Sequence, residues 1–234
     1  MFSKTARYYD KLYSFKDYRA ETDKLLELLG PPRSDPRATL LDVACGTGHH
    51  LEHLKAHFDC QGMDLDPVLL QVAQERAPEL AFHEGDMTSF DLNRTFDVVT
   101  CLFSSIGYVK TVDHLQQAVL CMAHHLSPEG TLAIEPWFTP ADWHPGTVHA
   151  LLVDEPELKI ARVSTSMVDG RISYFDMHYL IATPQGTEHF VERHELGLFG
   201  QNEMFAAFEV AGLKATYDAH GLTGRGLYIA RKTA

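Results

Sequence analysis

The chain has 234 residues, of which 45% are hydrophobic and 22% charged, a composition typical of a globular protein and long enough for one α/β domain. The formal net charge of −12 weighs against a nucleic-acid partner, because such partners need a face rich in Lys or Arg and the chain has no basic run. No apolar stretch approaches the roughly 20 residues that span a bilayer, and the N-terminus lacks the apolar centre of a signal peptide. The four cysteines are widely spaced, so we expect reduced thiols in a cytoplasmic protein without a membrane partner.

Short apolar strands alternate with helical patterns in the first half of the chain. The patterns predict strands over 38–44 and 60–65, each followed by a helix, over 48–58 and 67–76. Further strands are predicted over 80–83, 96–102 and 130–137, with the clearest helix over 112–126. This alternation predicts a parallel sheet covered by helices.

The pattern changes after the fifth strand. Within residues 138–199, β-rich stretches at 159–168, 172–183 and 188–199 are separated by turn signals, which predicts antiparallel strands. A last helix over 201–211 ends at a glycine, and strands over 213–219 and 227–230 complete the chain. We therefore expect one α/β domain, residues 1–234, with a β-rich insertion on the substrate side after the fifth strand.

A glycine-rich string, DVACGTG, lies at residues 42–48, where the first predicted strand turns into the next helix. Glycines there let the backbone approach a ligand closely, and the N-terminus of the next helix offers unpaired N–H donors. Asp64, 18 residues after Gly46 at the end of the second strand, is suited to accept both hydroxyls of a ribose. Asp86 follows the third strand, where a carboxylate can meet an adenine amino group. Together these positions indicate a ligand that contains a nucleoside.

Dinucleotide binding is the main alternative for such a turn. Its G-x-G-x-x-G fingerprint needs a third glycine three residues after Gly48, where this chain has Leu51. Asp42, before the turn, would repel a pyrophosphate, whereas it suits a ligand that carries an ammonium and a sulfonium, as S-adenosylmethionine (SAM) does. A tight turn without a ligand is the purely structural explanation.

These motifs carry a family resemblance. The string LLDVACGTG, followed by GMDLD and EGDM, resembles class I SAM-dependent methyltransferases over residues 39–137. The strings YYDKLY, FSSIGY, IEPWF and GRGL extend the resemblance over almost the whole chain, to bacterial TDP-3-amino-sugar N,N-dimethyltransferases of macrolide deoxysugar biosynthesis. The resemblance implies a Rossmann-like, doubly wound sheet of seven strands, with SAM above the carboxyl edge of the sheet.

The resemblance also implies a set of cofactor-binding residues. They are Tyr18, Asp42, Ala44, Gly46, Gly48, Asp64, Leu65, Asp86, Met87 and Phe103. By this match Asp42 lies near the methionine portion of SAM, Asp64 holds the ribose and Asp86 lies at the adenine. Tyr13 and Tyr18 match aromatic residues of an N-terminal helix region that closes over the cofactor.

Methyl transfer from SAM is a direct displacement, so the enzyme needs to align the acceptor and needs no covalent nucleophile. Tyr13 and Tyr108 are the candidates for orienting an acceptor amine, although Tyr108 is equally suited to capping its loop. Glu135 either attracts an ammonium group or braces the insertion through hydrogen bonds. Arg225, between two glycines, has the planar fork that suits a diphosphate. The remaining substrate-side candidates are Trp137, Arg162, His178 and Tyr179.

The sequence therefore predicts a SAM-dependent methyltransferase acting on the amine of a nucleotide-linked amino sugar, such as a TDP-amino sugar. Methylation of a different small amine, hydroxyl or carboxylate metabolite is the alternative, and a SAM-binding protein without catalysis is a third reading. The 14 histidines show no metal-ligand pattern, so we expect no metal. Similar enzymes form dimers, and a homodimer is an open possibility.

Overall fold

A computed structural model describes residues 5–31 and 36–232 of the chain. Its α-helices are α1 (Tyr9–Leu12), α2 (Tyr18–Leu29), α3 (His49–Leu54), α4 (Pro67–Arg76), α5 (Val112–His124) and α6 (Gln201–Val210). Its strands are β1 (Thr39–Val43), β2 (Asp59–Asp64), β3 (Ala81–Glu84), β4 (Phe96–Cys101), β5 (Leu126–Ile134), β6 (Val148–Glu155), β7 (Leu158–Thr165), β8 (Met167–Asp169), β9 (Ile172–Thr183), β10 (Gly186–Gly197), β11 (Leu213–Asp218) and β12 (Leu227–Lys232). Two short 3-10 turns cover Ala6–Tyr8 and Ser105–Val109.

The larger sheet has seven strands in the order β11-β12-β5-β4-β1-β2-β3. The five strands from β5 to β3 in this order are parallel, and β12 and β11 complete the sheet in antiparallel pairings. The predicted Rossmann-like sheet of seven strands is therefore confirmed. The chain leaves β1 toward β2 on one side and returns to β4 on the other, so the β1–β4 boundary is a switch point of the topology. Open α/β sheets bind ligands at the carboxyl end of such a boundary.

Two apolar cores cover the two faces of this sheet. Strand alternation sends neighbouring residues of β1 to opposite faces. Leu40 belongs to a buried cluster with side chains of α2 and α3, whereas Leu41 belongs to one with side chains of α5 and α6. The apolar run of the first strand thus reflects a strand that is buried on both sides, as parallel sheets require.

The predicted antiparallel insertion is confirmed between β5 and α6. Strands β10, β9, β7 and β6 form an antiparallel sheet in that order, and β8 pairs with β9. Its inner face, which contributes Ile160, Tyr179 and Phe190, packs against Leu12 of α1. The N-terminal segment therefore lies between the insertion and the larger sheet, next to its carboxyl edge.

Several element boundaries differ from the predictions. Strand β6 is additional, because its apolar run has no clear period and becomes a strand only by pairing with β7. The stretch 159–168 divides into β7 and β8 at Ser166, whose N–H and carbonyl bond the 146–147 segment instead. Strand β5 begins at Leu126, four residues before the predicted start, with a register irregularity opposite Phe96 and Val98. The single domain over residues 1–234 stays a prediction.

Candidate active site

The turn after β1 has the backbone geometry that its glycines indicated. Ala44, Gly46 and Gly48 all have positive φ, of 59°, 57° and 77°. A side chain at Gly48 would place its Cβ 3.2 Å from the Cβ of Ala73 in α4, so this glycine serves close packing. A Cβ at Gly46 would meet nothing within 4 Å, so this glycine serves the left-handed backbone of the turn.

Asp64 ends β2 directly beside this turn. Its two carboxylate oxygens accept hydrogen bonds from the N–H groups of Gly46 at 2.8 Å and Asp66 at 2.9 Å. Burial raises the pKa of Asp64, and the two backbone bonds oppose that effect. A carboxylate can accept about four hydrogen bonds, so the fixed side chain retains capacity for the two hydroxyls of a ribose.

Asp42 lies inside β1, at the floor of a cleft at the carboxyl edge. It is 1% exposed, and it accepts a hydrogen bond from Thr100 Oγ1 at 2.7 Å. Burial raises the pKa of Asp42 to about 6, although His50 and the Thr100 bond act in the opposite direction. Burial disfavours the ionised form of a carboxylate, and a nearby cationic group stabilises it again. Asp42 is therefore suited to a ligand that carries a positive charge.

The cleft contains half of the predicted cofactor residues. Its walls come from β1, the glycine turn, α3, the loop after β4 and the N-terminal segment: Tyr9, Tyr18, Asp42, Ala44, Cys45, Gly46, Thr47, His49, His50, Leu102, Phe103 and Ser105. Asp64 adjoins it through Gly46. Leu65 and Asp86 are exposed at the ends of β2 and β3, and Met87 is half-buried beside Asp86. These three lie along the same edge, outside the walls of the cleft.

The N-terminal segment is held over the cleft by polar contacts that the sequence analysis missed. Asp10 contacts Thr47 Oγ1 at 2.8 Å and His49 Nε2 at 3.0 Å, and it pairs with Arg76 of α4. Burial alone would raise the pKa of Asp10, but the hydrogen bonds from His49 and Thr47 and the charge of Arg76 hold it below its ordinary value. The one local signal for this contact was the position of His49 directly after Gly48 of the cofactor turn.

A second buried contact reinforces the first. Glu21 of α2 lies 2.9 Å from His50 Nε2 and 2.7 Å from Lys16 Nζ. Tyr18 stacks on His49 with ring centroids 4.3 Å apart. The predicted placement of Tyr18 over the cofactor cleft therefore depends on partners in α3.

Tyr13, predicted to orient the acceptor, meets the predicted substrate residue Arg162 beside the cleft. Arg162 Nη1 donates to the Tyr13 hydroxyl at 3.3 Å, and the Tyr13 and Phe103 rings are nearly perpendicular, with centroids 5.4 Å apart. Tyr179 is paired with Arg162 across β9 and β7, and is buried on the same inner face. His178 precedes it on the strand, so it points to the opposite, exposed face, where it stacks on His189. The structure therefore does not bring His178 together with Tyr13.

Tyr108 lies in the 3-10 turn after β4, and its hydroxyl is 2.9 Å from Nδ1 of His194 on β10. Burial, with the Tyr13 and Tyr179 phenols adding to it, raises the pKa of Tyr108 well above its ordinary value. Tyr108 is therefore protonated at neutral pH. The sequence analysis did not select His194, because nothing local distinguishes it from the other histidines.

Glu135 follows β5, and it is a hydrogen-bonding carboxylate whose two partners lie outside the insertion. It is fully buried, and it accepts hydrogen bonds from the Phe103 N–H at 2.6 Å and from Thr223 Oγ1. It thereby ties the loop after β4 to the loop that carries Arg225. Trp137 donates from Nε1 to Ser173 Oγ at 2.9 Å and so joins β9 to the same edge.

Arg225 lies against an aromatic wall next to the cofactor cleft. Its Nη1 donates to Ser104 Oγ at 3.1 Å. Its guanidinium carbon lies 5.5, 5.2 and 5.6 Å from the ring centroids of Phe103, Trp137 and Phe138. An arginine stacked on rings in this way keeps edge N–H donors available for an anion.

Two other features are absent from the part of the chain that the structure describes. Over residues 5–31 and 36–232, no group of three or more His, Cys, Asp or Glu residues is arranged to hold a metal ion. In the same described ranges, no helix has both the length and the apolar character needed to cross a membrane.

Comparison with known proteins identifies the family. The family described as "Methyltransferase domain" matches residues 40–130. A dTDP-3-amino-3,4,6-trideoxy-alpha-D-glucopyranose N,N-dimethyltransferase of Streptomyces venezuelae is 41% identical over 92% of this chain and 91% of its own length. A dTDP-4-amino-2,3,4,6-tetradeoxy-D-glucose N,N-dimethyltransferase of Saccharopolyspora spinosa is 38% identical over 94% of this chain and 90% of its own.

A solved structure extends the similarity to three dimensions. The SAM-bound amino pentose methyltransferase CalS10 of Micromonospora echinaspora superposes with a TM-score of 0.84, at 39% identity over 93% of this chain and 92% of that one. The cofactor of this protein is accordingly SAM, and the predicted methyltransferase is confirmed. The chain belongs to the family of SAM-dependent N-methyltransferases that includes the dTDP-amino-sugar N,N-dimethyltransferases.

Proposed function

We propose that the protein transfers methyl groups from SAM to the amine of a nucleotide-linked amino sugar, with TDP as the expected nucleotide. The observation that carries this proposal is Arg225. In a chain of net charge −12, its guanidinium lies on an aromatic wall that shares Phe103 with the cofactor cleft. A diphosphate needs a focused positive charge of this kind, and the names of the similar enzymes support the same substrate class.

The residues of the cleft fit SAM by the chemistry of their donors and acceptors. We assign the fixed carboxylate of Asp64 to the ribose hydroxyls and the buried Asp42 to the positive charge of the methionine portion. The turn around Gly46 supplies close backbone approach, and Asp86 with Met87 is assigned to the adenine. When bound, the cofactor supplies a methyl carbon on a sulfonium: the amine lone pair forms the C–N bond while the C–S bond breaks and its electron pair stays on sulfur.

The chain contributes orientation and exclusion of water. The N-terminal segment, held by Asp10 and Glu21, covers the cleft. Alignment of the acceptor with the methyl carbon in a closed site accounts for much of the rate of such a methyl transfer. Tyr13 and Tyr108 are assigned to the acceptor amine, with Arg162 holding the Tyr13 hydroxyl. The amine attacks in its neutral form, and the proton it releases passes to solvent.

Methylation of another small metabolite is the second candidate. The net charge of −12 favours it, because a free cationic amine would be attracted by the field of the whole protein. The two candidates differ in whether TDP alone binds. For the amino-sugar proposal we expect Arg225 to give TDP a measurable affinity without any sugar.

Calorimetric titration tests the proposal. S-adenosylhomocysteine (SAH) is titrated first, then TDP, then a TDP-amino sugar in the presence of SAH. We expect all three to bind, and mass spectrometry after incubation with SAM to show a methylated amine. Binding of SAH alone, with turnover of a free amine and none of a TDP-amino sugar, would refute the sugar assignment and retain the methyltransferase.

We also propose that two copies associate through the outer face of the insertion sheet, defined as the side that points away from α1. Its exposed apolar side chains are Val148, Leu152, Val163, Leu180 and Val191. On this face Arg193 and Asp176 pair with each other, so their two charges offset one another. Several exposed apolar side chains on one sheet face support a two-fold interface.

Light scattering after size-exclusion chromatography tests the association. We expect the mass of a dimer for the natural chain and of a monomer for Leu152→Glu, whose side chain is 76% exposed on this face. Val210→Glu on α6, at an exposed apolar position outside this face, should remain dimeric. A monomeric natural chain would refute the interface.

The cysteines support a reducing compartment. All four are free thiols, and Cys45, Cys60 and Cys101 are buried. We therefore propose a cytoplasmic location, in which such thiols stay reduced.

A further inference from the structure

Tyr108 and His194 form a fixed pair between two elements that are distant in sequence. Tyr108 belongs to the turn after β4, and His194, 1% exposed, belongs to the inner face of β10. The two elements are closely packed beside this pair. Lys110 Nζ pairs with Glu195 Oε2 at 2.6 Å, and a Cβ on Gly197 would lie only 2.6 Å from the Lys110 carbonyl oxygen. The hydroxyl-to-Nδ1 distance of 2.9 Å is thus found at a junction where the two backbones approach each other closely.

The protonation states of Tyr108 and His194 leave two possible directions for the hydrogen bond between them. Burial lowers the pKa of His194 to about 4, so the imidazole is neutral near pH 7 and has one N–H and one acceptor nitrogen. Tyr108 keeps its proton, because burial raises its pKa. One proton therefore lies between the phenol oxygen and Nδ1, and either group can donate it. The two arrangements differ in whether the phenol offers the active site lone pairs or a hydroxyl donor.

We propose that His194 is a positioning residue for methyl transfer, whose Nδ1 accepts the Tyr108 hydroxyl and so turns the phenol lone pairs toward the N–H of the acceptor amine. This inference rests on the proposed function, which assigns Tyr108 to the amine. An amine that donates its N–H to Tyr108 keeps its own lone pair for the methyl carbon. An amine that accepted a Tyr108 hydroxyl would have that lone pair engaged and would be a poor nucleophile.

The same geometry limits the number of methyl groups. A primary amine and its monomethyl product each have an N–H to donate, whereas the neutral dimethyl product has none. The pair therefore favours two transfers and disfavours a third. Neutral His194 is too weak a base to retain the proton released at each transfer, which passes to solvent.

Three variants separate positioning from a structural role. His194→Phe keeps a ring and removes the acceptor, His194→Asn offers an amide oxygen near the Nδ1 position, and Tyr108→Phe removes the hydroxyl. Since one hydrogen bond is at stake, we expect His194→Phe to lower kcat about tenfold, with an unchanged Kd for SAH and with accumulation of the monomethyl product. His194→Asn should recover most of the rate.

The double variant gives the strictest result. If His194 acts through the Tyr108 hydroxyl, His194→Phe has no further effect on kcat in the Tyr108→Phe background. The inference would be overturned if the double variant lost kcat by the product of the two single-variant factors. Equal losses of kcat in His194→Phe and His194→Asn would overturn it as well.

A spectrum tests the inference without any sugar. In the SAH complex of protein with ¹⁵N-labelled histidine, the signal that disappears in His194→Asn should show the proton on Nε2 and an unprotonated Nδ1. A proton on Nδ1 would overturn the inference. A TDP-amino-sugar titration that fails while this spectrum shows the expected tautomer would refute the proposed function alone.

Discussion

Replacement of Asp64 by asparagine is the most direct test of the cofactor site. The carboxylate of Asp64 accepts the N–H groups of Gly46 and Asp66, one on each oxygen, and we assign the remaining lone pairs to the two ribose hydroxyls. Asn keeps the size of the side chain. It has one acceptor oxygen and one NH₂ group, so one of the two backbone N–H groups faces another donor and one ribose hydroxyl loses its acceptor.

The expected loss of affinity follows from this count. A hydrogen bond to a charged group contributes about 1.5–3 kcal/mol, which corresponds to a rise of about 10- to 150-fold in the Kd for SAH. The ligand-free protein should change much less in its unfolding temperature, because burial raises the pKa of Asp64 and the neutral amide avoids the cost of that buried charge. Affinity and stability should therefore respond differently to the same substitution.

Calorimetry with SAH measures the first effect, and thermal unfolding with and without SAH measures the second. Asp66→Asn is the matched control, because Asp66 caps α4 through the Val68 N–H at 2.9 Å and asparagine caps helices equally well. A Kd within threefold of the natural value for Asp64→Asn, or an equal loss in Asp66→Asn, would refute the assignment of Asp64 to the ribose.

Three further predictions concern other parts of the site. Arg225→Lys should weaken TDP binding about tenfold, because an ammonium replaces a fork of N–H donors, and leave SAH binding unchanged; an equal loss for SAH in calorimetry would contradict the assignment. The Kd for SAM should rise as pH is lowered through about 6, since burial raises the pKa of Asp42 to about 6 and only its ionised form attracts the ammonium. In Asp42→Asn that pH dependence should be lost, and its persistence would exclude Asp42 as the titrating group. Asp10→Asn should speed SAH dissociation severalfold in stopped-flow measurements, because the partly exposed contact with Arg76 closes the N-terminal segment; an unchanged rate would show that this contact does not control closure.

Local sequence was sufficient where neighbouring residues determine the structure. Helix α4 begins and ends as predicted, at Pro67 and Arg76, because Asp66 caps it and proline suits its first turn. The glycine turn and Asp64 were also predictable, since the end of a parallel strand brings its next residues to one edge of the sheet. These features defined the cofactor and the class of reaction.

The alternation of side chains along a strand also predicts that two of the candidate residues point to opposite faces of the sheet. His178 and Tyr179 are adjacent on β9, so a strand necessarily sends them to opposite faces, and only Tyr179 reaches the inner face. Which face is the inner one, however, follows from the packing of the insertion on α1.

The tertiary structure alone decided the contacts between distant segments. Asp10 meets His49 across 39 positions, and Tyr108 meets His194 across 86. A hydrogen bond between such distant residues produces no pattern in the sequence. Each residue is compatible with its own local element, whichever distant partner it contacts in the folded chain. The sequence by itself thus determined the sheet, the cofactor turn and the chemistry of SAM, while the closure of the N-terminal segment and the setting of Tyr108 arose only when the insertion packed over the carboxyl edge.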